Sequence, residues 1–183
     1  EGSNDPLTLK HSGNGFLFRR GYVVVFAAWQ GDLLEGDGRV LLDVPIVKEK
    51  EGSPITGLVR SEFILEQEGV TTQPLSGWAN TRSYPAISLD TNDAQLTRRP
   101  YADAPREVVP ADDWMFARNE GGIGLDGVAS QTAIVPSNEN IYLPTGFQPG
   151  WIYELVYEGQ DPLVLGLGHV AVRDLISFLK YRK

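Results

Sequence analysis

Apolar and polar positions along this chain follow two rhythms. Residues 22–28 form one continuous apolar run, Tyr22-Val23-Val24-Val25-Phe26-Ala27-Ala28, rich in β-branched side chains. That pattern suits a strand covered on both faces. Just before it, Phe16 to Arg20 reads as the last turns of a helix. Gly21 can take the left-handed conformation that stops a helix, and Arg19 and Arg20 complement its negative end. Helix end, glycine stop, buried strand and the polar loop Trp29-Gln30-Gly31-Asp32 follow in order. This succession predicts an α/β fold with a parallel strand, in which loops at the carboxyl ends of strands hold ligands. Trp29, Gln30 and Asp32 are therefore the first candidate binding residues.

Elsewhere the rhythm is alternation. Over residues 58–65, Val59, Ser61, Phe63 and Leu65 lie on one side and Arg60 and Glu62 on the other, which predicts a half-buried strand. Residues 151–157 alternate again, with Trp151, Tyr153, Leu155 and Tyr157 facing one way. Gly36-Asp37-Gly38 signals a loop leading into a strand-like stretch at 39–47. Residues 74–149 carry much Pro, Gly, Asn and Asp with short apolar pieces, and predict irregular, strand-rich structure. At the end of the chain Val172, Leu175, Ile176 and Leu179 recur at helical spacing, so an amphipathic helix is expected over about 170–181. Its apolar stripe is expected to cover the strand at 22–28.

The whole is expected to be α/β, with a β-rich, irregular insertion or cap at residues 33–160 between a core piece at 1–32 and a returning piece at 161–183. A cap over the ends of the strands would shape substrate access. Composition leaves this open: 183 residues, 42% apolar and 22% charged, match an ordinary globular domain. No run of about 18 apolar residues exists, which removes a transmembrane helix. Residues 1–10 lack the basic start and apolar core of a signal peptide. A soluble chain is expected and its compartment is left open, secretion or periplasm included. The formal net charge of -8 argues against nucleic acid, since phosphate binding needs a concentrated positive field. With no cysteine there is neither a disulfide nor a thiol nucleophile.

Three stretches carry a resemblance. They are Gly13-Asn14-Gly15-Phe16-Leu17 running to Gly31-Asp32, Phe147-Gln148-Pro149-Gly150-Trp151-Ile152-Tyr153-Glu154-Leu155, and Gly166-Leu167-Gly168-His169-Val170-Ala171-Val172-Arg173-Asp174-Leu175-Ile176-Ser177-Phe178-Leu179. Together they resemble a family of large α/β-hydrolase domain proteins, with Ala28 and Gln30 in place of the Asp and Arg usual in that loop. The resemblance implies an internal segment of a serine hydrolase acting on an ester or related acyl bond. No G-x-S-x-G is present, and neither Ser76 nor Ser130 is flanked by the required glycines. The catalytic Ser and His would therefore lie outside this chain, which alone should be inactive on esters. Its partners would be a small ester substrate and the remainder of its own hydrolase chain, with no nucleic acid and no membrane. No cofactor or metal is implied.

Each candidate also has a plainer reading. His169 could carry a proton, yet in the family the catalytic histidine follows the serine, so a helix-start or pocket-wall place fits better. Asp90, Asp93, Asp103, Asp112 and Asp113 lack the spacing of a calcium loop and read as turn residues. Trp78, Tyr84, Trp114, Phe116, Tyr142 and Trp151 could form a sugar-binding surface, but core packing of a β-rich region accounts for them as well. The alternative function is a non-catalytic β-rich domain that binds carbohydrate or another protein.

Overall fold

The computed structural model describes residues 8–34, 40–75, 81–123 and 129–182, with backbone only for 121–123 and 129–131. It divides into two compact units, Ile46–Pro162 on one hand and Glu1–Pro45 with Leu163–Lys183 on the other.

Ile46–Pro162 is an antiparallel β domain. Its main sheet holds β1 (Thr56–Ile64), β3 (Gln95–Arg99), β4 (Glu107–Val109) and β8 (Ile152–Gln160), in the order β1-β8-β3-β4. Two smaller sheets pair β2 (Thr72–Pro74) with β7 (Asn140–Tyr142), and β5 (Ala117–Ile123) with β6 (Ala129–Pro136). The alternation predicted for the first and last of these strands is present. In β8, Tyr153, Leu155 and Tyr157 are buried and Glu158 is exposed. In β1, Ser61 and Phe63 are buried, with Arg60 exposed between the core-facing positions.

Register explains the core. Phe63 lies opposite Tyr153, Ser61 opposite Leu155, and Leu96 opposite both Leu155 and Val109, so one face of the sheet is mainly apolar, with Ser61 a buried polar position on it. On that face Phe63 stacks on Tyr153 with ring centres 5.7 Å apart, and Phe147 meets both rings edge-on. Trp114 packs edge-on against Phe116, which meets Tyr157 in turn. The Tyr153 hydroxyl accepts the Gln148 amide at 2.8 Å, and the Tyr157 hydroxyl lies 2.7 Å from both the Tyr84 carbonyl and Ser83 Oγ. Both buried phenols thus satisfy their polar ends. Trp114 and Phe116 are core residues, and Tyr84, Tyr142 and Trp151 are half-buried. Trp78 lies outside the described residues.

The second unit corrects the predicted fold class. Residues 22–30 belong to no strand and no ladder, and every pairing of named strands in the structure is antiparallel, so the fold is not α/β with a parallel sheet. The reason is that an apolar, β-branched run supplies only one side of a ladder; a strand exists when a neighbour takes up its backbone groups. Val23 is 87% exposed, and Tyr22, Val25 and Phe26 are exposed too. The stretch at 40–47 likewise forms no strand.

The helical readings hold locally. α1 (Phe16–Arg19) is a single turn, ended by Gly21 at φ 77°. α2 (Gly168–Tyr181) covers the predicted helix. Its stripe, however, does not lie in a core: Val172, Ile176 and Leu179 are exposed, Leu175 is half-buried, and Gly168 is its one buried residue. The expected packing of this stripe on residues 22–28 is therefore overturned. Among the described residues, no helix is long and apolar enough to cross a membrane.

Candidate functional site

The loop after residues 22–28 is held by close backbone approach. Gly31 is buried, and a side chain there would run into the Leu42 carbonyl and the Val44 methyls. The Leu42 amide donates to the Gln30 carbonyl at 3.0 Å. The returning chain joins the same assembly through the Val164 amide, which donates to the Pro45 carbonyl at 3.0 Å. Gly166, at φ 81°, then turns the chain into α2. At the start of that helix Gly168 sits directly on Trp29, where a Cβ would clash with the Trp29 carbonyl oxygen and press on its indole. Two glycines far apart in sequence thus let three backbone segments come together.

The result is a hollow of about 260 Å³ lined by Trp29, Gln30, Gly31, Asp32, Leu42, Val44, Val164 and the segment 165–169. All four sequence candidates, Trp29, Gln30, Asp32 and His169, border it. Trp29 and His169 are exposed, and Gln30 and Asp32 half-buried. Gln30 can donate and accept hydrogen bonds, Asp32 accepts them, His169 can carry a proton, and Trp29 provides a flat apolar wall. α2 begins here without a side-chain cap, so its first amides add positive potential. No Ser, Thr, Lys or Tyr is among the described lining residues, so the hollow holds no hydroxyl or amine nucleophile of its own. The alternation and turn patterns did not single out Leu42, Val44 or Val164 as walls.

The serines weighed as nucleophiles are placed elsewhere or not described. Ser130 is in β6, and Ser76 lies outside the described residues. Asp90 has a turn role: its carboxylate accepts the Asn92 amide at 2.9 Å, capping a 3-10 turn at Thr91–Asp93, and this bond holds its pKa below the usual carboxylate value. Ser88 Oγ lies 2.8 Å from Asp93.

A charged network on the outer face of the main sheet was also missed. Glu154 lies between Arg60 and Arg106, and Glu62 between Arg60 and Arg99. Burial pushes the Glu154 pKa up, but the Arg60 and Arg106 guanidiniums outweigh it and hold the carboxyl below its ordinary value. Arg60 is raised in return, chiefly by its hydrogen bond to Glu154. The alternation of Arg60 and Glu62 along β1 was the available signal.

The β domain has its own hollow of about 420 Å³, bordered by Arg118, Ser137, Asn138, Glu139 and Gln160 with Ile87 and Leu89. Comparison with protein-family models, with curated proteins and with solved structures finds no match to this chain.

Proposed function

We propose that this chain supplies the substrate-facing wall of an acyl hydrolase whose nucleophilic serine and histidine come from outside residues 1–183. The observation that carries this reading is the convergence of Trp29, Gln30, Asp32 and His169 on one hollow. These residues come from two separate stretches that resemble the hydrolase family. In the reaction a serine hydroxyl attacks the ester carbonyl while a histidine takes its proton, and an acid orients that histidine. Gln30 hydrogen-bonds the substrate, Trp29 forms the apolar wall, and Asp32 with the start of α2 sets the polarity of the entrance. Substrate is a small ester or related acyl compound.

The test uses the longest natural chain containing these residues. An active-site-directed fluorophosphonate should label a serine outside residues 1–183, and Gln30→Ala should cost about one to three kcal/mol of transition-state stabilisation with little change in melting temperature. The 183-residue chain alone should not turn over an ester. Turnover by that chain, abolished by Ser76→Ala or Ser130→Ala, would overturn the assignment.

The polar hollow of the β domain favours a second reading, a binding module for a hydroxyl-rich ligand such as carbohydrate. Arg118, Asn138, Glu139 and Gln160 can hydrogen-bond a polyol from several sides. Titration with soluble polysaccharides, repeated on Asn138→Ala, separates the two readings: binding that the substitution abolishes supports this one.

A further inference from the structure

The outer side of β1 is an open sheet edge. In β8, the Glu158 carbonyl accepts from the Ile87 amide at 2.9 Å, and the Gln160 amide donates to the Pro85 carbonyl at 2.9 Å. Both groups point away from β1. Because backbone direction alternates along an antiparallel strand, Tyr153, Leu155, Tyr157 and Gly159 must turn theirs toward β1. Their register partners are Phe63, Ser61, Val59 and Gly57. The intervening residues Thr56, Leu58, Arg60, Glu62 and Ile64 therefore direct their amides and carbonyls outward. β1 ends the sheet, and none of these groups takes a backbone partner among the described residues. An open edge of this length is a template for another strand.

We propose that the strand it takes is β1 of a second copy, antiparallel, with the twofold axis at Ser61. Charge selects this register. The outward-pointing residues can face one another about Arg60, Ser61 or Glu62. The first sets Arg60 against Arg60, and the last sets Glu62 against Glu62. Only the register about Ser61 places Arg60 opposite Glu62, and symmetry does so twice. It also brings Leu58, 82% exposed, against the partner's Ile64, 53% exposed, covering apolar surface that the single copy leaves in water. The outward amides and carbonyls of these pairs then complete a ladder, joining two four-stranded sheets into one. One strand pair is small beside the roughly 1,200–2,000 Å² of a stable interface, so association is weak, with a dissociation constant on the order of 100 μM.

Sedimentation velocity from about 5 to 500 μM tests this. The 183-residue chain should shift from monomer to dimer across that range. Arg60→Glu and Glu62→Arg, each alone, put like charges across the twofold and should weaken association by about tenfold or more. An equal mixture of the two variants should restore it, because the carboxylate introduced in one copy then faces the guanidinium introduced in the other, while the unaltered Glu62 of the first faces the unaltered Arg60 of the second. Leu58→Lys provides a check independent of the charged network: its side chain is exposed in the single copy, so folding is retained while dimer is lost. A wild-type chain that stays monomeric throughout overturns the proposal. So does association that Leu58→Lys leaves unchanged, or a mixture of folded charge variants that associates no better than either alone.

Discussion

In Ile46–Pro162, Tyr153 and Leu155 are fully buried on a sheet face they share with Phe63 and Leu96, whereas in Glu1–Pro45 with Leu163–Lys183 equally apolar side chains stand in water. The two regions do not differ in the kind of residue they use. They differ in whether those residues have found a ladder or a packed face. β8 is bonded on both sides, by β1 and β3, and its alternating side chains reach a shared core. Residues 22–28 have a comparable apolar content but, among the described residues, no strand beside them, and α2 leaves Ile176 and Leu179 exposed. An apolar pattern states what must be buried, and tertiary pairing decides whether it is.

The sharpest break in this comparison comes from deleting the same amount of side chain in each region. Leu155→Ala removes buried methyls from between β1 and β3, and should cost about 2–5 kcal/mol in denaturant unfolding of the β domain. Ile176→Ala removes an exposed side chain, and should change that transition by less than about 0.5 kcal/mol. Equal losses would mean that the stripe of α2 is buried after all.

A smaller effect is expected at a tight glycine junction of the second unit. Gly168→Ala introduces a Cβ against the Trp29 carbonyl, and should cost about 1–3 kcal/mol of local stability. Changed Trp29 fluorescence and loss of α2 helicity by circular dichroism would report it, while the unfolding midpoint of the β domain stays put.

The sequence showed some of this plainly and some not at all. Alternation at Val59, Ser61 and Phe63, and at Tyr153, Leu155 and Tyr157, identified two strands because one face of each meets a core and the other meets water. Gly21 and the helical spacing from Val172 to Leu179 placed a stop and a helix, since both are local events. The run at 22–28 reads as a parallel strand, but an unbroken apolar run becomes a strand only when neighbours take up its backbone groups, and among the described residues it has none in a ladder. The hollow was half legible: Trp29, Gln30 and Asp32 follow that run directly, and His169 was considered as a pocket wall. Leu42 and Val164 enter through backbone bonds, and Val44 through its methyls against Gly31, contacts that no periodicity announces.

Two pH effects separate the regions further, both confined to the β domain. Burial raises the Tyr157 pKa above the ordinary phenol value. The unfolded chain therefore loses its proton first, and the stability tied to the neutral phenol is complete below about pH 10 and lost above it. Tyr157→Phe should flatten that decline, and should cost about 1–2 kcal/mol at neutral pH through the unpaired Tyr84 carbonyl. Glu154 works in the opposite direction. Its lowered pKa gives stability that is present above about pH 4.5 and is lost as the pH falls through the folded value. Glu154→Gln should reduce that acid sensitivity by well under about 1 kcal/mol, because its arginine partners are largely solvated.

Amide hydrogen exchange, followed peptide by peptide on the intact 183-residue chain, tests the contrast between the two regions most directly. Tyr153, Leu155 and Tyr157 should exchange only through opening of the β domain, with protection on the order of thousandfold or more, while the amides of residues 23–28 should exchange close to the unprotected rate. Comparable protection of the two peptides would contradict the account, because it would require the run at 22–28 to have a hydrogen-bonded neighbour.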